Sequence, residues 1–198
     1  MEDNVFERMA KKYDTVERIE LANVIVDEVR KELQNSKSKS LLDYGGGTGL
    51  VSLRLTDLVE TTLVVDSSEG MLDVAQTKIS RLGIANTEVL HSDFSKETPD
   101  LKVDIVLISL VLLHIPDTKE ILQQLFNILN VGGKLLIVDF NKNDQINHPK
   151  VHNGFSHGEL KNILSEVGFK TTDIKTFYQG ERIFMNQDAS MFLSTSVK

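Results

Sequence analysis

Strand-like and helix-like segments alternate along most of this chain, and that alternation limits the folds it can adopt. Short apolar runs typical of buried strands occur at residues 40–45, 61–66, 87–93, 102–115 and 134–140. Segments with helical spacing of apolar residues occur at 15–34, 49–58, 67–82, 117–130 and 156–169. This order predicts a mostly parallel sheet covered by helices on both faces. The fourth run is too long for one strand, so we expect it to bend after Ser109.

The C-terminal part departs from the alternation. Two β-leaning segments, 170–179 and 190–197, follow one another without a helix between them, so the last strand should run antiparallel. The expected fold class is an α/β, doubly wound, seven-stranded, mostly parallel sheet with an antiparallel last strand. We expect one domain over residues 1–198. Its parts would be a helical cap at 1–34, a cofactor-binding core at 38–140, a substrate-side loop at 141–158, and a helix with strands at 159–198.

Composition and charge exclude several classes of protein. The net charge of −7 over 198 residues disfavours a nucleic-acid binder, which would present a basic surface. The absence of cysteine rules out disulfides, thiolate catalysis and cysteine-ligated metals. The polar N-terminus has no apolar segment typical of a secretion signal, and no apolar run approaches the ~20 residues of a membrane span. We therefore expect a cytoplasmic protein without a membrane partner, and either a monomer or a homodimer.

The segment LLDYGGGTGL, residues 41–50, joins the first predicted strand to the next predicted helix and has the composition of a ligand-binding loop. A Walker A loop is excluded because no lysine follows the glycines. The dinucleotide fingerprint G-x-G-x-x-G fits poorly because its third glycine would fall on Leu50. The pattern that remains is D-x-G-x-G-x-G, formed by Asp43, Gly45, Gly47 and Gly49.

Asp43 distinguishes between the ligands that such a loop can hold. The glycines permit positive φ and a close approach of ligand to backbone, whereas a carboxylate beside the ligand disfavours phosphate and favours positive charge. S-adenosylmethionine carries an ammonium and a sulfonium and has no phosphate. It therefore matches this loop better than a nucleotide does.

The ordered motifs of the chain resemble those of class I S-adenosylmethionine-dependent methyltransferases of the small-molecule type. LLDYGGGTGL is similar to the first motif of that family, VVDSSEGML to the second-strand motif, HSDF to the third, ISLVLLHIPD to the fourth, and LNVGGKLLIVDF to the fifth. FERMAKKYD resembles the N-terminal segment of many members, and HNGFSHGELKNILSEVGF their sixth helix and strand. The resemblance covers nearly the whole chain and implies a Rossmann-like methyltransferase fold.

Asp66 is a candidate ribose ligand on its position alone. It ends the second predicted strand, about 20 residues after the glycine loop, which is the spacing at which an acid reaches ribose hydroxyls in nucleotide-binding α/β domains. The alternative is a carboxylate that only stabilises the start of the following helix. The resemblance implies the same ribose role.

Further cofactor contacts are implied by the resemblance. Asp43 would face the methionine ammonium, directly or through water. Met71, which follows Ser67 at the cofactor, would help to sandwich the adenine, although it could equally pack in the core. Asp93 would bind the adenine amino group. Phe94 would make a backbone or ring contact there, and Ser109 would contribute at the end of the fourth strand. Tyr13 could close over the cofactor, although it could equally be an ordinary aromatic residue at a helix end.

The histidines offer candidate bases. His114 follows the fourth strand in an apolar context, where a histidine with a structural role is the more common case, and His152 lies in the long loop at 141–158. His148, His152 and His157 together suggest a metal site, but Pro149 and nearby glycines argue against a continuous helix, so we predict no metal. His114 and His152 remain the candidates for a catalytic role, if a general base is used at all.

The expected function is methyl transfer from S-adenosylmethionine to a small-molecule acceptor, with release of S-adenosylhomocysteine. Two alternatives remain open from the residues. A non-catalytic S-adenosylmethionine-binding protein would carry the same loop. A nicotinamide-dependent oxidoreductase shares the fold class, but Asp43 and the missing third glycine count against it.

Overall fold

A computed structural model describes residues 5–149 and 151–198, and the chain divides into two compact units, Met1–Pro99 and Asp100–Lys198. None of the helices within these described residues has both the length and the apolar character that crossing a membrane requires.

The first unit contains three parallel strands with their helices. Its elements are α1 (Val5–Met9), a 3-10 turn (Ala10–Lys12), α2 (Val16–Glu32), β1 (Ser40–Tyr44), β2 (Thr61–Asp66), α3 (Glu69–Leu82) and β3 (Thr87–His91). The pairing of β1 with β2 sets Asp43 beside Val64, and the pairing of β2 with β3 sets Asp66 beside His91. Two of the site carboxylates therefore lie at or near the carboxyl ends of neighbouring parallel strands.

Residues 49–58 do not form the predicted α-helix. Two short 3-10 turns, Ser52–Arg54 and Thr56–Leu58, occupy this segment instead. The apolar spacing that suggested a helix is satisfied equally well by 3-10 turns, because residues three apart then lie on the same side. Gly49, with φ of +73°, also prevents regular helical backbone at the start of the segment.

The second unit contains the other four strands. Its elements are β4 (Val103–Ser109), a 3-10 turn (Leu112–His114), α4 (Thr118–Ile128), β5 (Leu129–Phe140), α5 (His157–Val167), β6 (Thr171–Phe184) and β7 (Gln187–Val197). The fourth strand ends at Ser109, as expected from its length. Strand β5 begins five residues before the predicted 134, since Gly132 and Gly133 pair with the backbone of Lys198. Met185 and Asn186, both with positive φ, form the turn between β6 and β7.

The strands form a seven-stranded sheet in the order β3-β2-β1-β4-β5-β7-β6. Strand β7 pairs antiparallel with both β5 and β6, whereas β1–β2, β2–β3 and β4–β5 are parallel pairs. The predicted fold class is therefore confirmed. Apolar residues inside these strands, such as Leu42, Val64, Leu107 and Ile137, are 0% exposed, as a sheet covered on both faces requires.

Candidate functional site

The glycine loop after β1 depends on backbone conformations that other residues rarely adopt. Gly45, Gly47 and Gly49 have φ of 71°, 56° and 73°. The N–H groups of Gly45 and Gly46 both donate to the Val65 carbonyl, at 2.8 and 3.0 Å, which ties the loop to the end of β2. The three glycines of the D-x-G-x-G-x-G pattern thus have a physical reason to be glycine.

Gly46 and Gly47 differ in the space around them. A Cβ on Gly46 would lie 2.6 Å from Asp43 Oδ2 and 2.7 Å from Val64 Cγ1, so no side chain fits there without a shift. A Cβ on Gly47 would have Asp66 Oδ2 at 3.9 Å as its nearest neighbour, so this side of the loop is open. The loop therefore packs tightly against Asp43 on one side and leaves room for a ligand on the other.

Asp43 is buried beneath this loop and is only 2% exposed. The pKa of its carboxyl is raised to about 7, mainly by burial and in smaller part by the charge of Asp66, against the opposing effect of the Ser52 hydroxyl. Ser52 Oγ itself is buried without a hydrogen-bond partner of good geometry among the described residues. A cation bound at the open side of the loop would favour the ionised form of Asp43 through its field.

Asp66 lies at the end of β2, where its carboxylate orders the surrounding backbone. Oδ2 accepts from the Gly47 N–H and Oδ1 accepts from the Ser68 N–H, both at 2.9 Å. Burial raises the pKa of Asp66, and the backbone hydrogen bonds and His91 offset part of that rise. Each carboxylate oxygen can accept a second hydrogen bond, so the residue can still receive two hydroxyl donors.

Ser67 and Met71 lie at the start of α3. Ser68 rather than Ser67 caps the helix, with Ser68 Oγ accepting from the Met71 N–H at 3.2 Å. Ser67 is exposed, and its carbonyl is 3.1 Å from His91 Nε2. The Met71 side chain is 2% exposed, so it contributes to the core, and its predicted adenine contact stays a prediction.

Asp93 and Phe94 follow β3 and differ in their surroundings. Asp93 accepts from the N–H and hydroxyl of Ser95 and forms an ion pair with Lys96 at 3.0 Å. Phe94 is 1% exposed, and its ring centroid lies 4.8 Å from that of Tyr44. The ring of Phe94 is thus part of the core, which leaves its backbone for the predicted cofactor contact.

Tyr44 is a residue near this site that the sequence did not single out. The pKa of its phenol is raised to about 12, mainly by burial and in smaller part by the charges of Asp93 and Asp66. Its hydroxyl therefore lies within the field of both predicted cofactor acids. Its position as the last residue of β1, directly before the glycines, was the available signal.

Tyr13 is held close to the same group of acids. The Arg18 guanidinium lies 4.3 Å from the centroid of its ring, and Arg18 Nη1 donates to the Tyr13 carbonyl at 3.0 Å. Burial raises the pKa of Tyr13, the Arg18 charge opposes this rise, and the charge of Asp66 adds to it. The next residue, Asp14, accepts from the Thr48 hydroxyl of the glycine loop at 2.6 Å, and the predicted closure of Tyr13 over the cofactor stays a prediction.

In the second unit, Ser109 ends β4 and precedes a strained backbone. Leu110 has φ of 56°, which is unusual for a bulky residue, and its N–H donates to the Val138 carbonyl at 2.8 Å. The Leu112–His114 turn follows directly. The residues at the end of β4 are therefore held in a defined conformation.

Asp139, on β5, supports this turn and was not recognised from the sequence. It is 0% exposed, and its carboxylate accepts from the Phe140 N–H at 2.8 Å and from the Leu113 N–H at 3.3 Å. Burial raises its pKa to about 7, while these bonds and one from the Leu112 backbone lower it in part. Sequence reasoning missed Asp139 because it looks like an ordinary residue near a strand end.

The two candidate bases come from segments joined by a backbone hydrogen bond. His152 N–H donates to the Leu113 carbonyl at 2.7 Å, next to His114, and the His152 ring stacks on Phe155 at 4.6 Å. His114 reaches solvent, yet desolvation by the surrounding protein, with a contribution from His148, lowers its pKa. His157 instead bonds Asn141 Oδ1 at 2.8 Å. Within residues 5–149 and 151–198 no group of three or more potential metal ligands is found.

Comparison with known proteins gives consistent matches. The model of the ubiE/COQ5 methyltransferase family matches residues 2–171. The protein named ubiquinone/menaquinone biosynthesis C-methyltransferase UbiE from Pasteurella multocida (strain Pm70) is 30% identical over 83% of this chain and 63% of its own length. The protein of the same name from Pseudoalteromonas translucida (strain TAC 125) is 27% identical over 93% of this chain and 77% of its own. The chain thus spans less than two thirds of the Pasteurella protein.

A solved structure matches over almost the full chain. It is that of a SAM dependent methyltransferase from Aquifex aeolicus, with a TM-score of 0.71 and 23% identity, and the match covers 96% of this chain and 97% of that one. The similarity confirms the expected Rossmann-like methyltransferase fold.

Proposed function

The chain belongs to the ubiE/COQ5 methyltransferase family, and on that premise we propose that it transfers a methyl group from S-adenosylmethionine to a carbon atom of a small-molecule acceptor, releasing S-adenosylhomocysteine. The carbon acceptor follows from the names of its relatives, which are C-methyltransferases of ubiquinone and menaquinone biosynthesis. The cytoplasmic location, the single domain and the monomeric or dimeric state stay predictions.

The observation that carries the proposal is the pair of carboxylates at the glycine loop. Asp43 and Asp66 both have raised pKa values, and the charge of Asp66 makes Asp43 harder to ionise. A phosphate ligand would add a third negative charge here, whereas an ammonium or sulfonium would relieve the repulsion. The charges at this loop therefore favour a ligand that carries positive charge.

The residues present fit S-adenosylmethionine. Asp66 would accept from both ribose hydroxyls, Asp43 would face the ammonium, and the open side of Gly47 would receive the ligand against backbone. Asp93 and the Phe94 backbone would lie at the adenine, with Ser67, Met71 and Tyr13 completing the contacts, and the role of Ser109 stays a prediction. When bound, S-adenosylmethionine supplies a methyl group on a sulfonium, which is already a good leaving group.

The chain's own contribution to the chemistry is alignment, exclusion of water and removal of a proton. Methyl transfer needs the acceptor in line with the breaking bond, so positioning supplies much of the rate. An aromatic carbon becomes a better nucleophile when a neighbouring hydroxyl loses its proton. After methyl transfer the C–H proton on that carbon must leave and the hydroxyl is protonated again, so the reaction releases one proton overall. The lowered pKa of His114 keeps its imidazole neutral and able to accept the hydroxyl proton at neutral pH. His152 is the second candidate for this role.

Calorimetry and product analysis test the proposal in two steps. S-adenosylmethionine and NAD are titrated separately into the protein, and binding of S-adenosylmethionine alone is expected. The protein is then incubated with methyl-labelled S-adenosylmethionine and soluble hydroquinones that lack a ring methyl, with matched phenols and amines as controls. The label should appear on carbon, located by NMR. Binding of NAD alone would overturn the proposal, and label only on oxygen or nitrogen would overturn the carbon acceptor.

A further inference from the structure

The N-terminal segment, residues 5–15, is attached to the rest of the first unit by two acidic side chains. Glu7 accepts from the Ser68 hydroxyl at 2.6 Å and from the Gly70 N–H at 3.0 Å. Asp14 contacts Thr48 of the glycine loop and Lys78 of α3. The segment contains only a five-residue helix and a 3-10 turn, which are too short to be stable alone. Its position therefore depends on these attachments.

The attachment at Asp14 is a closed triangle of three residues. The Thr48 hydroxyl donates to Asp14 Oδ1 at 2.6 Å, and Lys78 Nζ lies 2.5 Å from Asp14 Oδ2. Lys78 Nζ also donates to the Thr48 carbonyl at 2.8 Å. The triangle joins the N-terminal segment, the glycine loop and α3 at one point.

The burial of this triangle separates it from an ordinary surface ion pair. The Lys78 and Asp14 side chains are 18% and 26% exposed, and Thr48 is 1% exposed. By contrast, Lys119 and Glu166 approach to 2.6 Å with side chains 58% and 60% exposed. Exposed ion pairs such as Lys119–Glu166 contribute little to stability. Loss of one partner from an ion pair shielded from water is destabilising, because the other charge is left uncompensated.

Helix α3 does not need Lys78 to form. Ser68 caps its N-terminus, Gly83 ends it in the left-handed conformation, and Met71, Leu72, Ala75 and Ile79 bury its apolar side. A lysine near the end of such a helix would ordinarily extend into solvent. Here it reaches back to the glycine loop and to Asp14, so its contacts serve the loop and the N-terminal segment.

We propose that Asp14 and Lys78 are positioning residues that hold Tyr13 over the glycine loop and so retain the bound cofactor. The inference rests on the proposed function, because it concerns binding at the same site. Tyr13 directly precedes Asp14, and its phenol already lies within the field of Asp66. Opening the triangle would remove one of the two attachments and loosen the segment next to Tyr13, while the Glu7 contacts, Asp43 and Asp66 stay in place. The cofactor would then leave faster, although its direct contacts are intact.

Dissociation of tritiated S-adenosylmethionine, chased with unlabelled ligand, tests the proposal. Lys78→Met keeps the length and apolar stem of the side chain but removes the charge, and it should raise the dissociation rate on the order of tenfold with a smaller effect on association. Asp14→Asn should do the same, and the double variant should add little, because both changes break one unit. Lys119→Met, which breaks the exposed pair, is the matched control and should dissociate like wild type.

Trypsin cleavage of the protein without ligand gives a second, independent measurement. Arg8, Lys11 and Lys12 are exposed in the N-terminal segment, and cleavage there should be faster in Lys78→Met than in wild type or Lys119→Met, as followed by mass spectrometry. Unchanged cleavage and dissociation in Lys78→Met would overturn the proposal, as would additive effects in the double variant. If wild type itself binds no S-adenosylmethionine, the proposed function has failed, and this is seen before any variant is made.

Discussion

Asp43 in the first unit and Asp139 in the second are buried to the same degree, and burial raises the pKa of each to about 7. Their surroundings differ. Asp139 accepts from the backbone of Leu112, Leu113 and Phe140, whereas among the described residues the groups that act on Asp43 are one hydroxyl and a second carboxylate. A buried carboxylate surrounded by N–H donors fixes the conformation of the backbone around it. A buried carboxylate beside a second carboxylate instead favours the binding of a cation. Burial and pKa alone would not separate the two roles.

The largest expected effect is on folding stability, from Asp139→Ala. The substitution leaves the N–H groups of Leu112, Leu113 and Phe140 buried without their acceptor, so we expect the free energy of unfolding to fall by about 4 kcal/mol. Urea unfolding at pH 7 measures it. Asp43→Ala is the matched variant and should lose much less, since it also removes a carboxylate repelled by Asp66, which offsets part of the cost of the space emptied beneath the loop. Equal losses in the two variants would contradict the distinction drawn between them.

Asp66→Ala should have the next largest effect, on cofactor affinity. Loss of two charge-assisted hydrogen bonds to the ribose hydroxyls should weaken binding of S-adenosylmethionine by about 3 kcal/mol, measured by calorimetry. The affinity for methylthioadenosine, which has the ribose but no amino acid part, should fall by the same amount. Asp73→Ala, at an exposed aspartate of α3, is the control and should bind normally. Unchanged affinity of Asp66→Ala would remove the ribose assignment.

Asp43→Asn should weaken S-adenosylmethionine binding by about 2 kcal/mol, through loss of the charge that faces the ammonium. Unlike Asp66→Ala, it should leave the affinity for methylthioadenosine unchanged, because that ligand lacks the ammonium. Calorimetry with both ligands therefore separates the two carboxylates by the part of the cofactor that each contacts. Equal weakening of both ligands would show that Asp43 acts by shaping the loop instead.

The sheet and the glycine loop could be predicted because local patterns determine them. Alternating apolar runs gave the strands and their order of connection, and the spacing from Gly49 to Asp66 identified the acid at the end of β2. The helix expected at 49–58 was wrong, because apolar spacing does not distinguish an α-helix from successive 3-10 turns. Local patterns therefore served well for element type wherever the segment was long and regular.

The residues that the sequence did not reveal owe their roles to contacts between segments that are distant along the chain. Gly46 occupies a position that the motif leaves free, yet its Cα faces Asp43 and Val64 too closely for a side chain. Asp139 meets the turn at Leu112–His114 only when β5 is folded, about 26 residues away along the chain. The sequence predicts Lys78 to be an ordinary exposed helix residue, and only the folded structure places Asp14 and Thr48 beside it. No pattern within a short window carries this information.

The pH dependence of cofactor affinity is the smallest effect and the most specific test of the comparison. A cation favours ionised Asp43, so lowering the pH from 8 to 6, through its pKa of about 7, should weaken S-adenosylmethionine binding about tenfold, or about 1.4 kcal/mol. Asp43→Asn should lose most of this dependence. Stability follows the opposite direction: both carboxyls bind protons more tightly folded than unfolded, so their contribution falls as pH rises from 3.8 toward 7. Affinity that rises with pH in wild type but not in Asp43→Asn, while stability falls, would assign the affinity change to Asp43, because Asp139 can supply only the change in stability.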